Sequence, residues 1–155
     1  YGFDVKFMAK SPVAGSGYGC IFGGRTSSGT NDYQLTTYSS FNTGTLRWGD
    51  SSSQATSAGI VPNTVQTCSL RSYKYTRPDG TTANLELGHT NTLPAEYYMY
   101  VFGLDSNGLT QYGSGCRIYY LKFYSIDNMI IRNLVPAKRR SDGVLGLYDL
   151  ANDYF

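Results

Sequence analysis

The chain has 155 residues, of which 15% are charged and 15% aromatic, and its formal net charge is +2. This length suits one domain with a sizeable core, so we expect residues 1–155 to form a single domain, cut from a larger protein. The small net charge does not indicate a nucleic-acid partner, and no apolar run approaches the roughly 20 residues of a transmembrane helix. We therefore expect neither nucleic acid nor a membrane among the partners.

Apolar and polar residues alternate with a period of two through most of the chain, which predicts strands. The first strand carries Phe3, Val5 and Phe7 on one face, with Asp4 and Lys6 on the other. In chain order, the predicted strands cover residues 3–7, 18–25, 33–38, 45–48, 65–75, 81–87, 97–104, 117–125, 129–135 and 144–148. Residues 50–58 are weakly patterned and indicate a loop or an edge strand. About ten strands without a helical stripe predict an all-β sandwich or barrel.

The same alternation predicts which side chains face the core. In the strand at 65–75, Cys68 and Leu70 share one face, whereas Arg71, Tyr73 and Tyr75 share the other. Turn-forming residues predict reversals at positions 77–80, 105–108, 127–128 and 141–143.

Several segments resemble one family of β-domains. These segments are residues 20–26 (CIFGGRT), 85–88 (LELG), 98–108 (YMYVFGLDSNG), 118–124 (IYYLKFY) and, most specifically, 135–149 (VPAKRRSDGVLGLYD). Together they are similar to the concanavalin A-like, laminin-G-like jelly-roll domains of phage virion proteins and bacterial surface proteins. The resemblance covers most of the chain and is weakest between residues 42 and 62.

The resemblance implies a two-sheet antiparallel jelly-roll sandwich that binds ligands, often glycans, on a virion or a cell surface. It implies no catalysis. Members of the family carry a strand before the position of Tyr1 and a short tail after Phe155, and we expect both to be missing here. Loss of the first strand would leave an unpaired sheet edge, which we expect a neighbouring segment or subunit to cover.

The acidic residues do not predict an enzyme. Retaining glycosidases need two carboxyl groups about 5–5.5 Å apart, and inverting ones about 6.5–9.5 Å. The nearest pair in the sequence is Asp149 with Asp153, whereas Glu86 and Glu96 stand alone. His89 is the only histidine and is accompanied by no Gly-x-Ser-x-Gly motif. We therefore expect that the protein is not an enzyme.

Metal ligands and a basic patch are the remaining polar candidates. Asp50, Asp79, Asp105 and Asn107 lie in turns without a recognisable ligand spacing, so we expect no cofactor, with Ca²⁺ as the alternative. The three cysteines lack a Cys-x-x-Cys spacing and are expected to be buried free thiols. The patch at 138–140 (KRR) either contacts phosphate or an acidic glycan, or forms a solvated corner, which we favour.

The candidate carbohydrate-binding residues are Trp48, Tyr33, Tyr38, Tyr73 and Tyr75. An exposed aromatic ring beside polar side chains suits the face of a sugar. The alternative is that these rings pack between the sheets or at a subunit contact, because large aromatic residues dominate cores as well as interfaces.

Two functions follow from these patterns. The first is a non-catalytic binding module on a phage particle or bacterial surface that recognises a host-surface glycan or receptor. The second is a structural virion decoration, fibre or adaptor domain, which the apolar stretch at 97–104 and the missing edge strand favour. With either function, we expect other virion or surface-protein subunits as partners, in an oligomer or a larger assembly.

Overall fold

Fourteen strands make up the secondary structure of the described chain. The structure is a computed structural model that describes residues 2–9, 18–25, 32–38, 44–49, 54–56, 60–85, 99–101, 104–106, 109–111 and 115–155. The strands are β1 (Gly2–Ala9), β2 (Tyr18–Arg25), β3 (Asp32–Tyr38), β4 (Gly44–Gly49), β5 (Gln54–Thr56), β6 (Val65–Arg71), β7 (Lys74–Thr76), β8 (Thr82–Asn84), β9 (Tyr100–Val101), β10 (Leu104–Ser106), β11 (Leu109–Gln111), β12 (Cys116–Tyr124), β13 (Ile130–Lys138) and β14 (Leu145–Asp149). No helix occurs within these ranges.

The strands form two seven-stranded sheets. Sheet A has the order β14-β13-β12-β1-β6-β7-β8, and sheet B has the order β11-β10-β2-β3-β4-β5, with β9 also paired to β2. Neighbouring strands are antiparallel throughout, except for a short parallel pairing of β2 with β10. The prediction of an all-β domain with two antiparallel sheets is confirmed.

The core lies between the two sheets. Phe3 of sheet A packs edge-on against Phe22 of sheet B, with ring centres 5.0 Å apart, and Phe22 lies 5.6 Å from Phe123 of sheet A. Trp48 of sheet B lies 5.4 Å from the Phe3 ring. These rings join the sheets face to face, so the molecule is a β-sandwich. Burial of each such phenylalanine contributes about 1.5–3 kcal/mol to stability.

The run at 65–75 is interrupted by a tight turn. Ser72 and Tyr73 have φ angles of 46° and 64°, and a two-residue hairpin of type I′ needs two consecutive positive φ angles. Leu70 consequently pairs with Tyr75, and Arg71 pairs with Lys74. Tyr75 therefore faces the core with Leu70. Its predicted position beside Arg71 is wrong, because the alternation assumed one continuous strand.

The stretch at 97–104 also differs from the prediction of one strand. Its described parts contribute to β9 and β10, which pair with β2 in opposite directions. The hairpin predicted at 105–108 is confirmed by the antiparallel pairing of Ser106 with Leu109. Residues 54–56 form β5 at the edge of sheet B, which is one of the two alternatives for the weakly patterned region.

Strand β13 runs through Pro136 to Lys138, three residues farther than predicted. The N–H of Arg139 donates to the carbonyl of Val144 at 2.8 Å and closes the following turn. β12 pairs with β13 only as far as Leu134. Pro136 therefore removes no donor that β12 needs, which explains how the strand accommodates a proline.

The first strand is an interior strand of sheet A. β1 pairs with β12 on one side and with β6 on the other. The edges of sheet A among the described strands are β14 and β8. The unpaired edge expected from the family resemblance therefore does not lie at β1.

Candidate functional site

Two of the aromatic residues proposed to bind sugar belong to the core. Tyr75 is fully buried, and Trp48 is only 8% exposed. The Trp48 ring packs edge-on against Tyr33 at 5.2 Å between ring centres. The alternative interpretation, packing between the sheets, therefore holds for Trp48 and Tyr75, and neither ring offers a face to a sugar.

The other three residues do not converge on one surface. Tyr33 is half-buried and packs against the core from sheet B. Tyr73 is half-buried in the β6–β7 turn, where its carbonyl accepts the N–H of Leu85 at 2.8 Å. Tyr38 pairs with Tyr18 at the end of β3, and its side chain lies outside the described residues. The structure thus gives no single binding surface to the predicted set.

The described outward side chains of β3 in sheet B are buried. Asp32, Gln34 and Thr36 point away from the core, yet all three are buried, and Asp32 is 1% exposed. Asp32 accepts hydrogen bonds from Arg47 and from Gln34, both at 3.1 Å. Burial raises the pKa of Asp32 above its ordinary value, although the Arg47 charge and these hydrogen bonds oppose the shift. A ligand cannot reach these side chains without displacing what covers them.

The outer face of sheet A is open. Because Phe3, Val5 and Phe7 face the core, Asp4 and Lys6 point outward, as the sequence predicts. Strand pairing then determines the neighbours of these two residues. We call the following residues the basic face: Asp4, Lys6, Arg71, Lys74, Arg117, Tyr119, Tyr120, Lys122 and Tyr124. All of them except Tyr124 are exposed or half-exposed.

A bulge in β12 brings two adjacent tyrosines to this face. Lys6 pairs with Tyr120, and the next residue of β1, Phe7, pairs with Ile118, which leaves Tyr119 as the extra residue. The Lys6 amino nitrogen lies 5.9 Å from the centre of the Tyr119 ring, and that of Lys122 lies 5.3 Å from the Tyr120 ring. Tyr119 is 36% exposed. Two phenol rings therefore lie beside ammonium groups on an accessible surface.

An ion pair with a tyrosine fixes one end of the basic face. Arg71 donates to Asp4 Oδ2 at 2.6 Å and to the carbonyl of Phe3 at 2.9 Å. The Tyr124 hydroxyl donates to the same Asp4 oxygen at 2.8 Å, and the Arg71 guanidinium lies 3.4 Å from the centre of the Tyr124 ring. The stacked guanidinium covers this ring, so Tyr124 holds Asp4 and Arg71 in place and offers no free ring surface to a ligand.

Gly2 lies beside this cluster at the start of β1. A Cβ on Gly2 would overlap the Leu70 carbonyl, so glycine permits the close approach of β1 to β6.

Tyr120 and Tyr124 of the basic face remain neutral hydrogen-bonding groups. Burial raises the pKa of Tyr124, and the hydrogen bond to Asp4 and the charge of Asp4 raise it further. Burial and the charge of Asp4 also raise the pKa of Tyr120. Both phenols therefore stay protonated at physiological pH and can donate hydrogen bonds.

The acidic pair considered for catalysis has a structural role. Asp149 is fully buried and accepts hydrogen bonds from the backbone N–H groups of Asn133 and Ala151. Asp153 accepts a hydrogen bond from the hydroxyl of Tyr148.

The other acidic, histidine and calcium candidates are described only in part. Glu86, Glu96 and His89 lie outside the described residues, as do the calcium candidates Asp50 and Asn107 and the side chain of Asp105. Asp79 accepts hydrogen bonds from the backbone N–H and the hydroxyl of Thr81. Within the described ranges, no cluster of three or more histidine, cysteine or carboxylate side chains could hold a metal ion.

The basic patch at 138–140 lies at the solvent-exposed end of the β13–β14 hairpin. Arg139 donates to the two carboxylate oxygens of Asp142 at 2.9 and 3.0 Å through its Nε. Its guanidinium lies 5.3 Å from the centre of the Phe155 ring. Lys138 and Arg140 are exposed. This geometry agrees with a solvated corner.

No protein-family model, curated protein or solved structure matches this chain. Among the described residues, no helix is long and apolar enough to cross a membrane.

The basic face was absent from the sequence predictions, although part of its signal was visible. Alternation places Asp4 and Lys6 on the outer side of β1, and residues 120–124 also alternate between polar and apolar. The missing information was the register between β1 and β12, which places Lys6 beside Tyr120 and Asp4 beside Lys122.

Proposed function

We propose that this chain is a non-catalytic carbohydrate-binding module of a phage virion or bacterial surface protein, and that it binds its glycan on the basic face. The observation that supports this function best is the contrast between the two outer faces of the sandwich. The outward side chains that the structure describes on β3 of sheet B are buried, whereas the outer face of sheet A presents Tyr119 and Tyr120 beside lysines. Aromatic rings next to hydrogen-bonding groups suit the mixed apolar and polar surface of a sugar.

The fold we propose is the jelly roll that the family resemblance implies. In sheet A, the N-terminal strand β1 lies between β6 and β12, two strands that are distant from it in the sequence. Such an order needs connections between non-adjacent strands, as in Greek-key sandwiches. This topology supports the resemblance, although many unrelated functions share the architecture.

The charges of the basic face favour binding over hydrolysis. Glycoside hydrolysis needs a carboxylic acid and a second carboxylate across the bond that is cleaved. Asp4 is the only carboxylate that the described strands place on this face, and it is held by Arg71 and Tyr124. A bound sugar would thus meet hydrogen-bond donors and rings without a pair of acidic groups.

A glycan array probed with the 155-residue chain tests this function. We expect binding to polysaccharides of the host surface, and Tyr119→Ala and Tyr120→Ala should each weaken it by about 2- to 10-fold. Tyr154→Ala is the matched control, because Tyr154 is an exposed tyrosine on the C-terminal tail. Absence of binding to every polysaccharide, or equal loss in the control, would contradict the proposal.

A structural role is the second candidate, and exposed apolar residues favour it. Leu145, on the edge strand β14, is 78% exposed, and Ile126 and Met129 are exposed in the β12–β13 turn. Apolar side chains on an exposed strand edge are typical of surfaces that other chains cover. Sedimentation of the chain should then show self-association that Leu145→Lys abolishes. A monomer at all concentrations would count against this role.

A further inference from the structure

We infer that the glycan bound by the basic face is anionic, a carboxylated or sulfated polysaccharide. This inference rests on the proposed function, because it names the ligand class of the same surface. Its physical basis is an excess of unpaired positive charge beside the two tyrosines of the β12 bulge.

The net charge of the basic face is more positive than that of the whole chain. The basic face carries five cationic side chains and one carboxylate, which give a net charge of +4, by the strand pairings of β1, β6, β7 and β12. The whole chain has a formal net charge of +2. The rest of the chain therefore carries a net charge of −2, and the basic face is positive against a slightly negative background.

Most of these cations are available to a ligand. Arg71 is paired with Asp4, but the other four form no ion pair with any carboxylate that the structure describes. Two arginines elsewhere in the molecule are paired, Arg47 with Asp32 and Arg132 with Asp149. Like charges on one face repel each other in the free protein, and an anionic ligand would relieve this repulsion.

The cations form a band across the sheet. Lys74 pairs with Arg71 near one end of β6, whereas Arg117 pairs with Met8 near the opposite end of β1. From the strand geometry, the band spans roughly 20 Å along the strands and roughly 14 Å across them. A band of this extent matches a polymer with repeated negative charges better than it matches a single phosphate ion.

The side chains between the cations favour a sugar over a nucleic acid. Thr67 pairs with Lys6, and Ser69 pairs with Asp4 and with Thr76, so hydroxyl groups lie between the charges. These hydroxyls can exchange hydrogen bonds with sugar hydroxyls. Nucleic-acid sites instead combine strong positive charge with several free rings for base stacking. On the basic face, the Tyr124 ring is covered by Arg71.

The test compares polymers of different charge on the full 155-residue chain. The probes are polygalacturonate and heparin as anionic polysaccharides, dextran as a neutral one, and a single-stranded oligodeoxynucleotide. We expect both anionic polysaccharides to bind more tightly than dextran or the oligonucleotide. Raising the salt from about 0.05 to 0.5 M should weaken the binding at least about 10-fold, because salt screens exposed charges.

Paired charge reversals locate the site. Lys6→Glu with Lys122→Glu should weaken binding to polygalacturonate at least about 10-fold, and each single Lys→Ala change by about 1.5- to 5-fold. The matched control is Lys138→Glu with Arg140→Glu, which alters the net charge equally at the solvated corner and should leave binding nearly unchanged. Thermal melting checks that each variant folds, and Lys6→Gln with Lys122→Gln replaces the charge reversal if that variant does not fold.

The outcomes separate this inference from the proposed function. Binding of dextran but of neither anionic polymer would overturn the anionic ligand and leave a glycan-binding module. Failure of all polysaccharides would overturn both. Tighter binding of the oligonucleotide, or equal loss of binding in the control pair, would overturn the assignment of an anionic glycan to the basic face.

Discussion

Replacement of the buried carboxylate Asp149 by asparagine should destabilise the C-terminal hairpin. Asp149 is 0% exposed, and its Oδ1 accepts the N–H groups of Asn133 at 2.8 Å and Ala151 at 3.0 Å. Its Oδ2 accepts the amide of Asn152 at 2.7 Å and lies 3.6 Å from Arg132 Nε. In Asp149→Asn, the remaining oxygen can keep the two backbone hydrogen bonds. The new NH₂ group, however, faces the side-chain amide of Asn152 and the Nε of Arg132, which are both donors.

The expected loss follows from these contacts. One hydrogen bond to a charged group is worth about 1.5–3 kcal/mol. The Arg132 pair adds only about 0.2–1 kcal/mol, because the Arg132 side chain is half-exposed. We therefore expect Asp149→Asn to lower the free energy of unfolding by about 2–4 kcal/mol and the melting temperature by roughly 5–15 °C.

Thermal melting followed by circular dichroism, together with urea titration, measures this loss. The matched control is Asp142→Asn in the neighbouring turn, where the exposed Asp142 pairs with Arg139. Because that pair is solvated, the control should melt like the wild type. An Asp149→Asn protein as stable as the wild type would refute the reasoning.

Acid should remove the stabilisation that the ionised Asp149 provides. Burial pushes the pKa of Asp149 upward, but the hydrogen bonds from Asn133, Asn152 and Ala151 and the charge of Arg132 outweigh it, and the pKa is lowered. A carboxyl group with a lowered pKa in the folded state stabilises the protein above its unfolded pKa of about 3.9 and loses this effect as the pH falls below it. Below about pH 4, the wild type should thus lose stability faster than Asp149→Asn, and parallel pH profiles would contradict this assignment.

Three further predictions concern the core, a turn and the thiols. Phe22→Ala should lower the free energy of unfolding by about 3–5 kcal/mol, and Phe22→Leu by less, because the ring fills the space between the sheets. Equal losses of stability in the two variants, measured by urea titration, would contradict this role. Ser72→Asn should raise stability by about 0.5–1 kcal/mol, since asparagine tolerates the positive φ of this turn better than serine does; a lower melting temperature would contradict it. In the native protein, a thiol reagent at pH 8 should label the half-buried Cys116 well before Cys20 and Cys68. The reason is that burial raises the pKa of Cys68 to about 12 and that of Cys20 further. Equal labelling rates of the three thiols would argue against this burial.

Part of the basic face can be predicted from the local sequence pattern. The outward position of Asp4 and Lys6 follows from their alternation with Phe3, Val5 and Phe7, which needs only neighbouring residues. The candidate carbohydrate-binding residues rest on residue type alone, and residue type does not distinguish a core ring from a surface ring. For this reason the prediction includes Trp48 and Tyr75, although both are buried.

Local sequence patterns predict the all-β character, the core face of β1 and several hairpins, because a period of two and turn chemistry act between residues close in the chain. Only the folded chain shows that Tyr75 faces the core, because Ser72 and Tyr73 have two consecutive positive φ angles. It also shows that the outer face of sheet A is open and which cations lie on it. Lys6 and Tyr120 are adjacent only because β1 pairs with β12, and the register of strands so distant in sequence depends on the packing of the whole sandwich.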